Sequence, residues 1–129
     1  MKIATIIARI LLGLVFLAAG LSGFFLINHP PPPPPGLAGQ FQDVFFRSRY
    51  ELFVCSVQLV TGILLLINRY VPLALVALAA VIANILVFHI TMQPAGLALP
   101  IIVAVLWFIV AWPLRAHFAP LVTQTTSVR

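Results

Sequence analysis

Residues 71–92, VPLALVALAAVIANILVFHITM, contain no Asp, Glu, Lys or Arg in 22 consecutive positions. An α-helix of about 20 apolar residues crosses the hydrocarbon core of a bilayer, so this stretch predicts a transmembrane helix. Three further apolar segments, at about residues 3–27, 51–68 and 97–114, have a similar length. The sequence therefore predicts a membrane protein with four spans.

The composition of the chain agrees with a protein that has lipid as its solvent. Of the 129 residues, 63% are hydrophobic and 7% are charged, and the mean hydropathy is +1.18. Soluble proteins contain about 25% charged residues, and a soluble domain of this length is too small to bury so much apolar surface. The first apolar segment exceeds the ~7–15 residues of a signal peptide's apolar region, so we interpret it as a retained span.

The connections between the later spans predict an antiparallel bundle. NRYVP at residues 68–72 and QPAGLALP at residues 93–100 are short, and short connections place successive helices side by side in opposite directions. We expect an all-α protein in which residues 1–129 form a single four-transmembrane-helix antiparallel bundle. Helices in lipid associate through small residues, which span 1 supplies at Gly13, Ala19, Gly20 and Gly23.

The first connection, at residues 28–50, is the long one. Its six prolines, Pro30 to Pro35, have fixed φ angles and no N–H groups, so they predict a short polyproline II rod. The residues that follow place apolar side chains at helical spacing, which favours a short helix at the membrane interface. A disordered external loop is the alternative. The apolar residues at this spacing are Leu37, Phe41, Val44 and Phe45.

Charged residues indicate the orientation of the bundle. Cytoplasmic loops of membrane proteins are enriched in Lys and Arg. One side of the predicted bundle holds five cations, and the other holds Arg47 and Arg49 with the acids Asp43 and Glu51. Both termini are therefore expected in the cytoplasm. Nucleic acid is not an expected partner, because the cations that give the net charge of +5 are scattered singly. The five cations are Lys2, Arg9, Arg69, Arg115 and Arg129.

Polar residues inside spans 1 and 2 are candidates for function, because lipid makes them costly. Arg9 lies about two turns into span 1, where it either reaches the cytoplasmic headgroups or forms an inward-facing cation. In span 2, four residues recur at helical spacing on one face, which we expect to face the bundle interior. Gln58, near mid-membrane, needs a partner on another helix or a ligand. The four residues are Glu51, Cys55, Gln58 and Gly62.

Span 3 carries Asn84 and His89. Five residues separate them, so they point about 140° apart around the helix and do not converge as an i, i+4 pair does. His89 is expected near Glu51 at the outer end of the bundle. Three interpretations stay open: a protonated ring beside Glu51, a neutral ring bonded to a ligand headgroup, or a donor to a carbonyl that Pro94 frees. The candidate polar cleft consists of His89, Asn84, Gln58, Arg9 and Glu51.

Three segments, ARILLGLVFLAAGLSGFF, QLVTGILLLINRYVPLAL and NILVFHITMQPAG, are similar to the DoxX-like family of small bacterial membrane proteins. The similarity covers essentially the whole chain. It implies a four-helix fold in the bacterial inner membrane and a link to quinone-dependent oxidation of sulfur compounds or to oxidative stress. Many relatives carry Glu at the position of Gln58, and the amide in this chain argues against proton transfer by a carboxylate there.

Together, the residues and the resemblance favour a non-catalytic accessory subunit linked to quinone or redox chemistry. Its expected partners are the lipid bilayer, a membrane redox protein and further copies of the chain. The sequence has no flavin or dinucleotide glycine motif and a single cysteine, Cys55, which excludes a dithiol relay, so we do not expect an enzyme acting alone. No metal site is expected.

Two other ligand-binding functions are weaker alternatives. Haem held between His29 and His89 is disfavoured, because His29 directly precedes the six prolines. A small-molecule or lipid transporter or channel acting as an oligomer is the alternative function. Alternating-access transporters are built from internal repeats, and the four short spans have none that we detect.

Overall fold

The computed structural model describes residues 2–127, and within them the chain forms helices joined by turns. Four long helices form the bundle, and a shorter one, α2, lies between the first two of them. Arg129, which the charge pattern assigns to the cytoplasmic side, lies outside the described residues. The helices are α1 (Lys2–Leu26), α2 (Leu37–Arg47), α3 (Tyr50–Leu66), α4 (Val71–Met92), α5 (Ala98–Ala111) and α6 (Arg115–Phe118), with 3₁₀ turns at Pro94–Gly96, Trp112–Leu114 and Ala119–Val122.

The long helices correspond to the predicted spans. By length and composition, α1, α4 and the segment Ala98–Val122 can each cross a bilayer. α3 has 17 residues, which is at the short end of the ~17–25 that cross one, and α2 joins it at an angle of 84°. All four long helices begin and end within three residues of the predicted spans. The predicted all-α membrane bundle is confirmed.

The four long helices pack in a ring. α1 packs against α3 and α5, and α4 packs against the same two helices, so α1 and α4 lie diagonally opposite each other. The core side chains come from all four helices, whereas many Ile, Leu and Val side chains point outward. This pattern is expected in lipid, where an apolar exterior is solvated. The largest fully buried side chains are Phe16, Leu12, Leu65, Leu75, Leu78 and Val110.

Glycines bring α1 and α3 into close contact. A Cβ atom on Gly20 would lie 2.8 Å from the Leu59 backbone nitrogen, and one on Gly62 would lie 2.6 Å from the Leu17 nitrogen. Both separations are too short for a real Cβ atom, so the two backbones approach closely only because these positions lack side chains. The predicted role of small residues in helix packing is confirmed for this helix pair.

α2 and the proline segment lie at one end of the bundle, which we call the α2 end. The ring of Phe41 contacts that of Phe88 on α4, with 5.3 Å between centroids. The Pro34 carbonyl lies where a Cβ atom of Gly39 would be, so a glycine is needed for the proline segment to rest on α2. Leu37 and Val44 are exposed. The short helix expected from the apolar spacing is present and packs on the bundle, and its position at the membrane interface stays a prediction.

Candidate functional site

A cavity of about 170 Å³ lies inside the ring of helices, towards the α2 end. All four long helices and the turn at Pro94–Gly96 contribute to its wall, which is mostly apolar. Two side chains that line the cavity carry strong hydrogen-bonding groups, and they are Gln58 on α3 and His89 on α4. The remaining lining residues are Val15, Phe16, Ala19, Ile82, Ile85, Gly96, Leu99, Pro100 and Val103.

Gln58 presents an amide to this cavity without a protein partner. The residue is 9% exposed, and no described residue makes a hydrogen bond with its side chain. A primary amide has two donor hydrogens and an acceptor oxygen. These atoms keep some accessible surface towards the cavity, since Glu51 Oε2 is the fully buried side-chain oxygen or nitrogen without a partner among the described residues. The face that the spacing in α3 predicts is buried, because Glu51, Cys55 and Gly62 are buried with it.

His89 lies across the cavity on α4 and has one of its two ring nitrogens engaged. Its Nδ1 lies 2.8 Å from the carbonyl oxygen of Ile85. A carbonyl oxygen only accepts, so Nδ1 carries the hydrogen and donates. The bonded carbonyl is one turn before His89 and is not the one that Pro94 leaves without a donor. The other nitrogen, Nε2, lies beside Gly96, where a Cβ atom would be 3.3 Å away.

Glu51 lies near the α2 end, outside the cavity wall. It is 6% exposed, and its Oε2 atom has no hydrogen-bond partner among the described residues. Its neighbours are the thiol of Cys55 and the backbone of Gly23, whose missing side chain leaves room for both groups. Among the described residues, an ion pair joins Asp43 Oδ2 and Arg47 Nη2, which are 2.8 Å apart. The structure thus does not pair Glu51 with His89.

Arg9 lies at the other end of the bundle. Its Nη1 donates to the carbonyl oxygen of Leu65, in the last turn of α3. The last carbonyls of a helix lack intrahelical donors and carry partial negative charge, so a guanidinium group is a favourable partner there. Arg9 therefore points inward, towards α3, and connects α1 to the end of that helix without reaching the cavity.

Asn84 lies outside the cavity as well. Its side chain is exposed, and its Nδ2 donates to the Ala80 carbonyl of its own helix at 2.9 Å. The angular separation of about 140° from His89 explains this position, because α4 turns His89 towards the ring centre and Asn84 away from it. Of the five residues in the candidate polar cleft, the structure brings Gln58 and His89 together and leaves Glu51, Arg9 and Asn84 apart.

Two relevant residues are absent from the sequence-based candidates. Gly96 borders the imidazole of His89, and its signal in the sequence is a glycine two residues after the turn-forming Pro94. Trp107 on α5 donates from Nε1 to the Leu75 carbonyl of α4 at 2.8 Å. A buried indole N–H generally needs an acceptor. A tryptophan within an apolar span therefore indicates a hydrogen bond to a nearby carbonyl.

A second concave surface lies at the α2 end, between the proline segment and α2. Its volume is about 380 Å³. The charged groups that line it, Asp43 and Arg47, pair with each other, and both are substantially exposed to solvent. Such a groove offers no unpaired charge to a ligand. Among the described residues, no group of three or more His, Cys, Asp or Glu side chains is placed to hold a metal ion.

The fold and the cavity define a small helical membrane protein with a partly open apolar pocket between its helices. Comparison with known families makes the assignment narrower. The family model described as DoxX matches residues 4–90, which is more than half of the chain. The protein belongs to the DoxX family, and the resemblance drawn from the sequence is confirmed. The matched region includes Gln58 and His89. No curated protein and no solved structure matches the chain.

Proposed function

We propose that the protein is a non-catalytic membrane subunit that binds a quinone-type redox ligand in the cavity between Gln58 and His89. The observation that carries this proposal is the Gln58 amide, which is 9% exposed, without a hydrogen bond among the described residues, and open to an apolar cavity. Buried polar groups are normally paired. An amide that stays unpaired in this position is accounted for by a ligand with which it pairs.

The size and lining of the cavity fit the ring of such a ligand. An apolar cavity of about 150 Å³ holds benzene, and this one has about 170 Å³. Small-molecule sites are mostly apolar, with a few polar groups that fix orientation. A quinone ring has this composition, since oxygen atoms lie on an apolar body. Gln58 and His89 are the residues that bind and orient these oxygen atoms, and the apolar wall contacts the ring.

The proposal includes a protein partner. A bound quinone supplies two-electron redox chemistry, whereas an amide and an imidazole supply only binding and hydrogen bonds. Electrons must therefore come from a separate membrane redox protein. We place the subunit in the bacterial inner membrane with both termini in the cytoplasm, because Lys2, Arg69 and Arg115 lie at the end opposite the α2 end.

Analysis of copurified lipids tests this proposal. The protein is purified in mild detergent, and its absorbance spectrum and extracted lipids are compared with those of Gln58→Leu and His89→Ala. We expect a quinone or its hydroquinone in the wild-type extract. We expect at least about fivefold less in each variant, since one hydrogen bond contributes about 1 kcal/mol.

Asn84→Leu is the matched control. It also replaces a polar side chain of a spanning helix with an apolar one, but its site is exposed and outside the cavity. We expect this variant to retain the quinone. Equal retention by all four proteins, or no quinone in any of them, would contradict the proposed site. A polar lipid of another class that is lost in Gln58→Leu and His89→Ala would instead favour the transport alternative.

A further inference from the structure

The hydrogen-bonding state of His89 constrains the ligand further. The Nδ1 hydrogen is committed to the Ile85 carbonyl at 2.8 Å. A neutral imidazole carries one hydrogen, so its Nε2 is left as an acceptor. No described residue bonds to this atom, and no described carboxylate pairs with the ring. The polar group that meets Nε2 in the cavity must therefore donate a hydrogen bond.

We infer that this cavity selects the reduced, hydroxyl-bearing form of a quinone-type ligand over the oxidised form, because His89 offers an acceptor to it. The inference rests on the proposed function. The carbonyl oxygens of a quinone only accept hydrogen bonds. A quinone carbonyl placed at Nε2 of His89 would therefore bring two acceptors together, and neither would have a hydrogen-bond donor. A hydroquinone hydroxyl donates to Nε2. Gln58 does not discriminate, because its amide both donates and accepts.

Gly96 gives the ligand access to this nitrogen. A Cβ atom at this position would lie 3.0 Å from Cδ2 and 3.3 Å from Nε2 of His89. A methyl group there crowds the edge of the imidazole that carries the free acceptor. Gly96→Ala therefore offers a way to obstruct the acceptor without removing any polar group from the cavity.

Binding of a matched redox pair tests the inference. Duroquinone and its hydroquinone differ in their hydrogen-bonding groups and share one methylated ring. Their dissociation constants for the detergent-purified protein are measured by calorimetry under argon. We expect the hydroquinone to bind roughly tenfold tighter than the quinone. The hydroquinone makes a hydrogen bond to Nε2 of His89, whereas the quinone leaves this acceptor unpaired, and a difference of about one hydrogen bond has this effect. In His89→Leu and Gly96→Ala, the ratio falls towards one.

His29→Leu is the matched control. Nδ1 of His29 also lies near a carbonyl one turn earlier, that of Phe25, at 3.3 Å, but His29 is exposed and does not line the cavity. This variant is expected to keep the wild-type ratio. Equal affinities or tighter quinone binding by the wild type overturn the inference and leave the proposed function standing. Binding of neither compound overturns both.

Nitrogen NMR of the protein labelled with ¹⁵N-histidine gives a second readout that does not depend on ligand affinity. A protonated imidazole nitrogen and an unprotonated one have well separated chemical shifts. The His89 signals, assigned by their loss in His89→Leu, are expected to show a protonated Nδ1 and an unprotonated Nε2. A protonated Nε2 makes the ring a donor towards the cavity and overturns the inference, whichever ligand binds.

Discussion

Gln58 and Thr61 are polar residues of one helix whose side chains differ in hydrogen bonding. Both are buried on α3, but Thr61 donates its hydroxyl hydrogen to the Val57 carbonyl at 2.6 Å, whereas the Gln58 side chain has no partner among the described residues. Thr61 satisfies its polar group within its own helix. The Gln58 amide has no such partner, and under the proposed function a ligand supplies it. Residues kept for binding commonly reduce stability.

This difference predicts that Gln58→Leu stabilises the ligand-free protein. Leucine fills a similar volume and removes the unpaired amide, so we expect the free energy of unfolding to rise by about 1 kcal/mol. The measurement is the thermal midpoint in detergent after the bound lipid has been removed. Thr61→Val serves as the control and should give no comparable increase, because its hydroxyl is already bonded. A lower midpoint for Gln58→Leu would mean that the amide has a structural partner.

At the scale of elements, the α1–α3 contact determines the shape of the bundle at the cavity. Gly20 directly follows the cavity residue Ala19 in the chain and lies against the Cys55 carbonyl and Leu59 of α3. Gly13 and Gly62 make a similar close approach further along the same helix pair. Because lipid provides little hydrophobic driving force between helices, this packing carries much of their association. The position of Gln58 therefore depends on glycines in the facing helix.

Gly20→Ala is expected to destabilise the bundle. The added Cβ atom would lie 2.8 Å from the Leu59 nitrogen and 2.9 Å from the Cys55 carbonyl oxygen. Backbone atoms cannot move aside as a flexible side chain does, so the helices must separate, at a cost of about 1–3 kcal/mol. A lower thermal midpoint in detergent would report this cost. Ala18→Leu adds a larger group at an exposed position of α1 and should leave the midpoint nearly unchanged.

At the scale of the whole molecule, the two ends of the bundle differ in charge. Lys2, Arg69 and Arg115 lie at the end opposite the α2 end, where Arg9 also bonds to Leu65. The α2 end carries the mutually paired Asp43 and Arg47, together with Arg49 and Glu51. Positive charge is retained on the cytoplasmic side during membrane insertion. The charge distribution therefore predicts that α2 lies on the outer side of the membrane.

Cysteine labelling checks this orientation. Gln40→Cys on α2 and Thr125→Cys near the C-terminus are made in a Cys55→Ala background, since both positions are exposed and Cys55 is buried. In spheroplasts, a membrane-impermeant maleimide is expected to label Gln40→Cys without permeabilisation and Thr125→Cys only after it. The background protein alone should stay unlabelled. The reversed pattern would show that the termini lie outside.

The sequence by itself determined the long apolar helices and the face that α3 buries. Backbone groups in lipid must bond within their own segment, so apolar runs of sufficient length become helices, and the helical period then places Gln58 beside Cys55 and Gly62. It also indicated that Asn84 and His89 diverge.

Only the tertiary structure decided which polar groups share a site. The Leu65 carbonyl that Arg9 bonds is 56 residues away, and hydropathy carries no information about that pairing. The cavity joining Gln58, His89 and Gly96 depends on how far each helix is rotated about its axis. That rotation results from contacts among all four helices in the ring, so it has no local signal in the chain.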